Sequence, residues 1–302
     1  MSTNDHHASG PFWTIIKTLD WTTAYLKQYE VESPRASAEV MLAYCLNCTR
    51  IDLYLRHDQP MQQGELAQFR KLIKRRVAGE PVAYIVGRRE FWSLDFKVNS
   101  SVLIPRPETE CLIETAIIYF TAPAALRVLE LGCGSGAITV ALAHERPDWQ
   151  FWALDRSPEA IQIARENARY HQRDQRIYFL VSDWFEALGN AKFDLIITNP
   201  PYIKTSDIDG LSTEIRKYEP YLALNGGRDG LSSLTRIIHS APHYLVPGGM
   251  LMTEIGSDQR LAVYQIASGC SRYGGIDFRK DYSGLDRVAV LNLEMPVEPK
   301  LK

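Results

Sequence analysis

The residues best suited to chemistry stand four in a row, Asn199, Pro200, Pro201 and Tyr202, directly after the apolar run over 193–198. Two successive prolines fix the backbone, remove its N–H donors and leave its carbonyl oxygens as acceptors. The residue before a proline is held extended. The side-chain oxygen of Asn199 and the carbonyl of Pro200 can then both accept from one –NH2 group. The lone pair of an amide or aryl amine is delocalised into the neighbouring π-system. Two acceptors set out of that plane favour a more tetrahedral nitrogen and stabilise the positive charge that develops as it attacks an electrophile. Tyr202 can stack on a planar substrate and orient it. Catalysis is therefore expected from Asn199, Pro200 and Tyr202, and substrate binding from Asn199, Pro200, Pro201 and Tyr202. No strong general base is needed, because such a nitrogen becomes acidic only once alkylated. A rigid turn at a strand end explains prolines, but not Asn, Pro, Pro and Tyr together.

A second cluster indicates the electrophile. Gly132, Cys133, Gly134, Ser135 and Gly136 form a glycine-rich turn between a strand and a helix, where the backbone can approach a ligand closely. The strand over 151–154 then delivers Asp155, 19 positions after Gly136, where an acid can bind both hydroxyls of a ribose. A dinucleotide site wants G-x-G-x-x-G, so that pyrophosphate sits at the helix N-terminus. Here the spacing is G-x-G-x-G with Glu130 on the strand before it, which suits a cationic ligand better. S-adenosylmethionine carries a sulfonium and an amino group and needs no phosphate cradle. Glu130, Gly132–Gly136 and Asp155 are expected to bind it. Asp155 could instead cap the following helix, a role that Ser157 fills equally well. After the third strand, Asp183 could accept from an adenine amino group while Trp184 packs on the ring; a plain loop aromatic is the alternative. Cys133 has no base nearby in sequence and reads as a small turn residue.

The elements that position these residues follow from periodicity. Apolar strands over 127–131, 151–154, 177–181, 194–198 and 250–255 alternate with amphipathic helices over 137–144, 158–171, 231–244 and 258–268. That alternation predicts an α/β fold, a parallel sheet covered by helices on both faces. Two further strands over 276–281 and 287–293, turning at Gly284, predict an antiparallel pair at one edge. From 13 to about 79 the apolar spacing is helical, and Ser33-Pro34 reads as a helix start. Between these parts, Val82, Tyr84, Val86, then Phe91, Trp92, Leu94, Phe96 and Val98 alternate around Gly87-Arg88-Arg89, which predicts a β-hairpin. The expected organisation is a helical bundle over 1–80, a hairpin linker over 81–104 and a catalytic domain over 105–302.

Length and composition narrow the partners. A chain of 302 residues suits two domains. A formal net charge of −2 argues against a basic coat for duplex nucleic acid. The densest basic cluster, Arg70, Lys71, Lys74, Arg75 and Arg76, is read as a solvated helix face ahead of an RNA or protein contact. Five scattered cysteines fit a reducing compartment, and Cys45-x-x-Cys48 sits in an apolar helical pattern with no second pair, so core packing is expected rather than zinc. No apolar run reaches the ~18 residues of a membrane span, and the polar start lacks a signal-peptide core. A cytoplasmic location, no membrane contact and a monomer are expected.

These motifs resemble the class I (Rossmann-like) S-adenosylmethionine-dependent methyltransferases, with their seven-stranded sheet, and the tetrad narrows this to members that methylate amino or amide nitrogens. Three further segments, LIPRPETE at 103–110, YEPYLALNGGRDGL at 218–231 and GGMLMTEIG at 248–256, are similar to those of the HemK/PrmC family, the peptide chain release factor N5-glutamine methyltransferases. The resemblance runs from about residue 21 to 293. It implies methylation of the glutamine in the Gly-Gly-Gln motif of class I peptide chain release factors. It implies that Gly132–Gly136, Asp155, Trp184 and Asn199 bind the cofactor and that 199–202 hold the glutamine. It places Arg106 and Thr109 facing cofactor or peptide, and the N-terminal bundle against the release factor. The alternatives are a glutamine methyltransferase of a ribosomal protein, an adenine-N6 nucleic-acid methyltransferase and a non-catalytic binder.

Overall fold

The computed structural model describes residues 13–122 and 124–295; the polar start of the chain and its last residues lie outside this range. The chain divides into two compact units, Met1–Gly87 and Arg88–Lys302.

Among its described residues the first unit holds five helices: α1 (Ile15–Gln28), α2 (Pro34–Leu46), α3 (Arg50–Leu55), α4 (Gln63–Val77) and α5 (Val82–Val86). Leu19, Leu26, Met41, Leu42, Leu53 and Phe69 interlock in its core. Each such burial contributes about 1.5–3 kcal/mol. Buried Glu39 collects Arg35, Arg50 and the Tyr54 hydroxyl, so its desolvation is offset by several donors at once. The basic cluster on α4 separates by role. Arg70, Lys71 and Lys74 are exposed. Arg75 pairs with Glu80 at 2.5 Å, and buried Arg76 donates to the Glu80 carbonyl at 3.0 Å. Cys45 and Cys48 flank the end of α2, the Cys45 thiol donating to the Glu65 carbonyl at 3.4 Å. No group of three or more metal-ligating side chains occurs among the described residues.

The strand expected over 82–86 is a helix. A five-residue apolar run satisfies helical and extended periodicity alike. Pro81 at its start and Gly87 in the left-handed region at its end, φ 75°, set the boundaries of one helical turn. The hairpin lies further on, as β1 (Arg88–Phe91) and β2 (Leu94–Lys97), and belongs to the second unit. Its turn is Trp92-Ser93 rather than Gly87-Arg88-Arg89. Both residues have positive φ, 53° and 56°, which matches the right-handed twist of a tight hairpin.

The second unit continues with α6 (Glu110–Tyr119), β3 (Arg127–Leu131), α7 (Ala137–Glu145), β4 (Gln150–Asp155), α8 (Pro158–Tyr170), β5 (Ile177–Val181) and β6 (Phe193–Thr198). After two short helices, α9 (Thr213–Tyr218) and α10 (Tyr221–Leu224), come α11 (Ser232–Ser240), β7 (Leu245–Glu254), α12 (Arg260–Gly269), β8 (Tyr273–Lys280) and β9 (Asp286–Leu293). The sheet runs β5-β4-β3-β6-β7-β9-β8. Strands β3 to β7 are parallel, and β9 is antiparallel to both β7 and β8. The expected seven-stranded α/β sheet with an antiparallel edge is therefore present. One face carries α6, α7 and α8 over Val128, Phe151 and Ile197, and the other carries α11 and α12 over Leu129, Ile196 and Leu251. The helix expected over 231–244 ends early, and Pro242 lies in the 3-10 turn that follows. Strand order reverses between β3 and β6, where α/β sheets open a crevice at their carboxyl ends. There Leu131 pairs with Thr198, whose hydroxyl donates to the Leu131 carbonyl at 2.8 Å. No helix among the described residues is long and apolar enough to cross a membrane.

Candidate active site

A cavity of about 500 Å³ opens at the carboxyl ends of β3, β4, β5 and β6. Its floor is the glycine turn. Gly132, Gly134 and Gly136 all have positive φ, 69°, 53° and 78°, a run that L side chains adopt only under strain. The turn is pinned by Cys133 N donating to the Leu154 carbonyl at 2.8 Å and Gly136 N to the Cys133 carbonyl at 2.7 Å. A Cβ on Gly136 would stand 3.0 Å from that of Ala164, so glycine also lets α8 close on the turn. Cys133 is buried with its thiol pushed up by desolvation, as fits a packing residue.

Two acids face this turn. Glu130 on β3 is buried and accepts from the Thr139 amide at 3.0 Å and from the Thr139 hydroxyl, while desolvation pushes its carboxyl up to about 8. Asp155 accepts from Gly134 N and from Ser157 N, both at 2.9 Å. Burial raises its pKa against the pull of those amides. The cap of α8 is Ser157, whose hydroxyl oxygen accepts from Ala160 N at 3.1 Å. Asp155 is thus left to line the cavity. Trp184 has φ 52°, a conformation costing about 1–2 kcal/mol for a residue with a Cβ. Ser182 holds it there, its hydroxyl donating to the Trp184 carbonyl at 3.0 Å. The Trp184 ring lies over Gly132, within 3.7 Å of where a Cβ would stand. Asp183 lines the cavity beside it, with one oxygen 3.2 Å from Arg236.

The tetrad leaves the end of β6. Asn199 Nδ2 donates to Thr109 Oγ1 at 3.0 Å, which makes Oδ1 the remaining acceptor of that carboxamide. Asn199 and Pro201 line the cavity, whereas Pro200 and Tyr202 stand behind it, as does Gly136 in the turn. The half-buried Tyr202 ring packs against the core under α11 and α12, and its hydroxyl donates to Glu254 Oε1 at 3.2 Å. A Cβ on Gly226 would fall 2.8 Å from Tyr202 Cα and 2.9 Å from the Pro201 carbonyl, so only glycine fits behind the tetrad. Gln259 Nε2 ties the loop down further, donating to the carbonyls of Tyr202 at 3.2 Å and Gly230 at 3.0 Å.

Two chain segments wall the cavity. Arg106 and Thr109 line it from one, and Pro220, Tyr221 and Leu222 from the other. Buried Glu219 joins them, pairing with Arg106 at 2.5 Å and accepting from Ile104 N at 3.2 Å. Four supporting residues escape a reading of sequence: Glu219, Glu254, Gln259 and Asn167. Asn167 donates to the carbonyls of Ser135 at 2.8 Å and Lys97 at 3.0 Å, clipping the glycine turn to β2. For Glu254 the available sign is a charged residue ending an apolar strand; Asn167 and Gln259 look like ordinary polar helix positions.

This arrangement, with a glycine turn after the first sheet strand, an acid ending the second and the tetrad after the fourth, is that of a class I methyltransferase. Solved structures share the fold. One is a methyltransferase from Pyrococcus furiosus, with a TM-score of 0.51, 17% identity and coverage of 74% of this chain and 97% of that one. Another is the hMettl16 catalytic domain, with a TM-score of 0.56, 15% identity and coverage of 76% and 84%. Residues 17–87 match the PrmC N-terminal domain, and residues 109–226 match the methyltransferase small domain. The chain is 45% identical over 278 residues to the release factor glutamine methyltransferase of Geobacter sulfurreducens, covering 91% of this chain and 95% of the relative. It is 42% identical over 282 residues to that of Nitratidesulfovibrio vulgaris, covering 93% and 95%. The chain belongs to the release factor glutamine methyltransferase family. It is a methyltransferase, and S-adenosylmethionine is its cofactor.

Proposed function

We propose that this enzyme methylates the side-chain nitrogen of the glutamine in the Gly-Gly-Gln motif of a class I peptide chain release factor, acting as a cytoplasmic monomer. The observation that carries the reading is the Asn199 carboxamide, whose nitrogen is engaged by Thr109 and whose oxygen is left to accept.

The donor set fits S-adenosylmethionine: the buried Glu130 carboxyl and the half-buried Asp155 carboxyl flank an open backbone turn in a cavity of about 500 Å³. Bound there, the cofactor supplies an electrophilic methyl group on a sulfonium. Asp155 accepts from the ribose hydroxyls, and Glu130, which lines the cavity, anchors α7 through Thr139 just after the turn Gly132–Gly136. Trp184 and Asp183 take the adenine, the ring by packing and the amino group by accepting. Asn199 Oδ1, at the cavity wall, accepts one hydrogen of the target amide, and the Pro200 carbonyl, one step behind that wall, takes the other once the substrate is seated, turning its lone pair toward the methyl group. Tyr202, packed in the core behind the cavity rather than stacked on the substrate as the sequence suggests, fixes where these acceptors point, and Pro201 forms the cavity wall. The N-terminal unit, which matches the PrmC N-terminal domain, holds the release factor.

The test is peptide mass spectrometry of a recombinant release factor incubated with the protein and S-adenosylmethionine. One added methyl on the Gly-Gly-Gln glutamine is expected. An unmodified release factor, with a ribosomal protein or nucleic acid methylated instead, would move the chemistry to another substrate.

A further inference from the structure

Both ends of the tetrad converge on one carboxyl group that touches neither cavity nor solvent. Glu254, the last residue of β7, is 1% exposed. The Tyr202 hydroxyl donates to its Oε1 at 3.2 Å. Its Oε2 is buried without a hydrogen-bond partner among the described residues. Close by, the Thr109 hydroxyl receives Asn199 Nδ2 at 3.0 Å and has its own proton to place. Burial pushes the Glu254 carboxyl up to about 7, against Thr109, Arg287 and Tyr202, while Glu108 adds to the rise. An acceptor without a donor and a hydroxyl proton in need of an acceptor thus stand beside each other.

A hydroxyl has one proton, so its direction decides what its neighbour must present. With the Thr109 proton turned to Glu254, the Thr109 oxygen can only accept, and Asn199 must offer Nδ2. Asn199 Oδ1 then faces the other way, ready for the target –NH2. With the proton turned to Asn199, the carboxamide would flip and set a donor against a donor.

We infer that Glu254 is a positioning residue that sets the direction of the hydrogen-bond chain Asn199–Thr109–Glu254 and so locks the Asn199 carboxamide with its oxygen toward the substrate amide. This rests on the reading that Asn199 accepts from the target amide. A protonated Glu254 could itself donate to Thr109 and reverse the chain, so the transfer step accelerates as this carboxyl ionises. The groups facing it from the packed elements are Tyr202 after β6, Thr109 and Glu108 before α6, and Arg287 on β9.

The test uses the full-length protein and a recombinant release factor. Methyl transfer is followed by mass spectrometry from about pH 6 to 9, with cofactor affinity measured by calorimetry. Glu254→Leu should lower kcat about 10–100-fold, with KM for the release factor and cofactor Kd within a few-fold of wild type. Thr109→Val should reproduce that loss, and Thr109→Ser, which keeps the hydroxyl, should restore most of the activity. Glu254→Gln can accept from Thr109 while donating to the Tyr202 oxygen, so it should keep much of the activity and lose the rise with pH. An unchanged kcat in Glu254→Leu would overturn the inference, as would a wild-type pH profile in Glu254→Gln. Should Glu254→Leu fail to fold, the Thr109 pair decides alone: equal rates in the Val and Ser variants would end the proposal. If wild type itself leaves the release factor unmodified, the proposed function falls and takes this inference with it.

Discussion

Gly134 N donates to Asp155 Oδ2 at 2.9 Å, so the glycine turn after β3 and the acid ending β4 form a single rigid unit. The helix that follows does not depend on this acid, because Ser157 caps it. Asp155→Ala should therefore weaken S-adenosylmethionine binding by about 10–100-fold, the worth of hydrogen bonds to a charged group. Far-ultraviolet circular dichroism should not change. Calorimetry reads the affinity, and a dissociation constant equal to wild type would leave Asp155 as a purely structural acceptor.

Asn199 makes the opposite split. In the proposed mechanism, removing its carboxamide deletes one of two acceptors for the developing charge while leaving Asp155 and the glycine turn intact. Asn199→Ala should lower kcat by about 100-fold or more, with cofactor affinity within a few-fold of wild type. Rapid-quench assays of methyl transfer check this, and full activity would sink the proposed role of the tetrad.

Gly226 has no chemistry of its own, yet a methyl group there would meet Tyr202 Cα at 2.8 Å and the Gly230 carbonyl at 2.8 Å. Backbone cannot swing aside as a side-chain tip can. Gly226→Ala should displace the tetrad and reduce transfer by about 10-fold or more, since small misplacements of reacting groups are costly. A wild-type rate in this variant would mean that the loop tolerates movement behind the tetrad.

Stability should depend on pH in a particular sense. Glu130 and Glu254 have carboxyls raised from 4.5 to about 8 and about 7. The folded state therefore binds more protons than the unfolded chain between pH 4.5 and 8. Their contribution is complete below 4.5 and disappears as pH rises through 7 and 8. Glu39 and Asp52, held below their usual values, act the other way and lose their contribution in acid. The urea midpoint of the ligand-free protein should fall from about pH 5.5 to 9, and Glu130→Gln should flatten the upper part of that fall. A midpoint that climbs over the same range would contradict the burial of these groups.

Much of this is legible in sequence because its signals are local. The strands over 127–131 and 177–181 are bounded as expected, since each is a short, mostly apolar run; the first is buried from Val128 onward, whereas the second lies at the sheet edge and is largely uncovered. The glycine turn, Asp155 and Asn199 show themselves by type and spacing. Val82–Val86 misleads because one turn of helix is too short for periodicity to resolve. Glu219, Gln259 and Asn167 stay hidden for another reason. Each acts through partners far along the chain, Glu219 on Ile104 and Arg106, Gln259 on Tyr202, Asn167 on Ser135 and Lys97. Nothing in the neighbouring residues signals such pairings.

The pairing of Leu131 with Thr198 has a consequence for how this protein can change. The glycine turn begins one residue after Leu131, and the tetrad begins one residue after Thr198. Donor and acceptor loops therefore leave from neighbouring parallel strands, whose separation of about 4.8 Å is fixed by main-chain hydrogen bonds. In the proposed reaction the sheet sets how far apart the two loops start, and side chains such as Asn199 and Asp155 place the reacting groups between them. Substitutions in the walls can alter which molecule enters and how tightly it is held. The spacing of the two loops is a property of the backbone, so only replacements that push the main chain aside, as at Gly226, should change it.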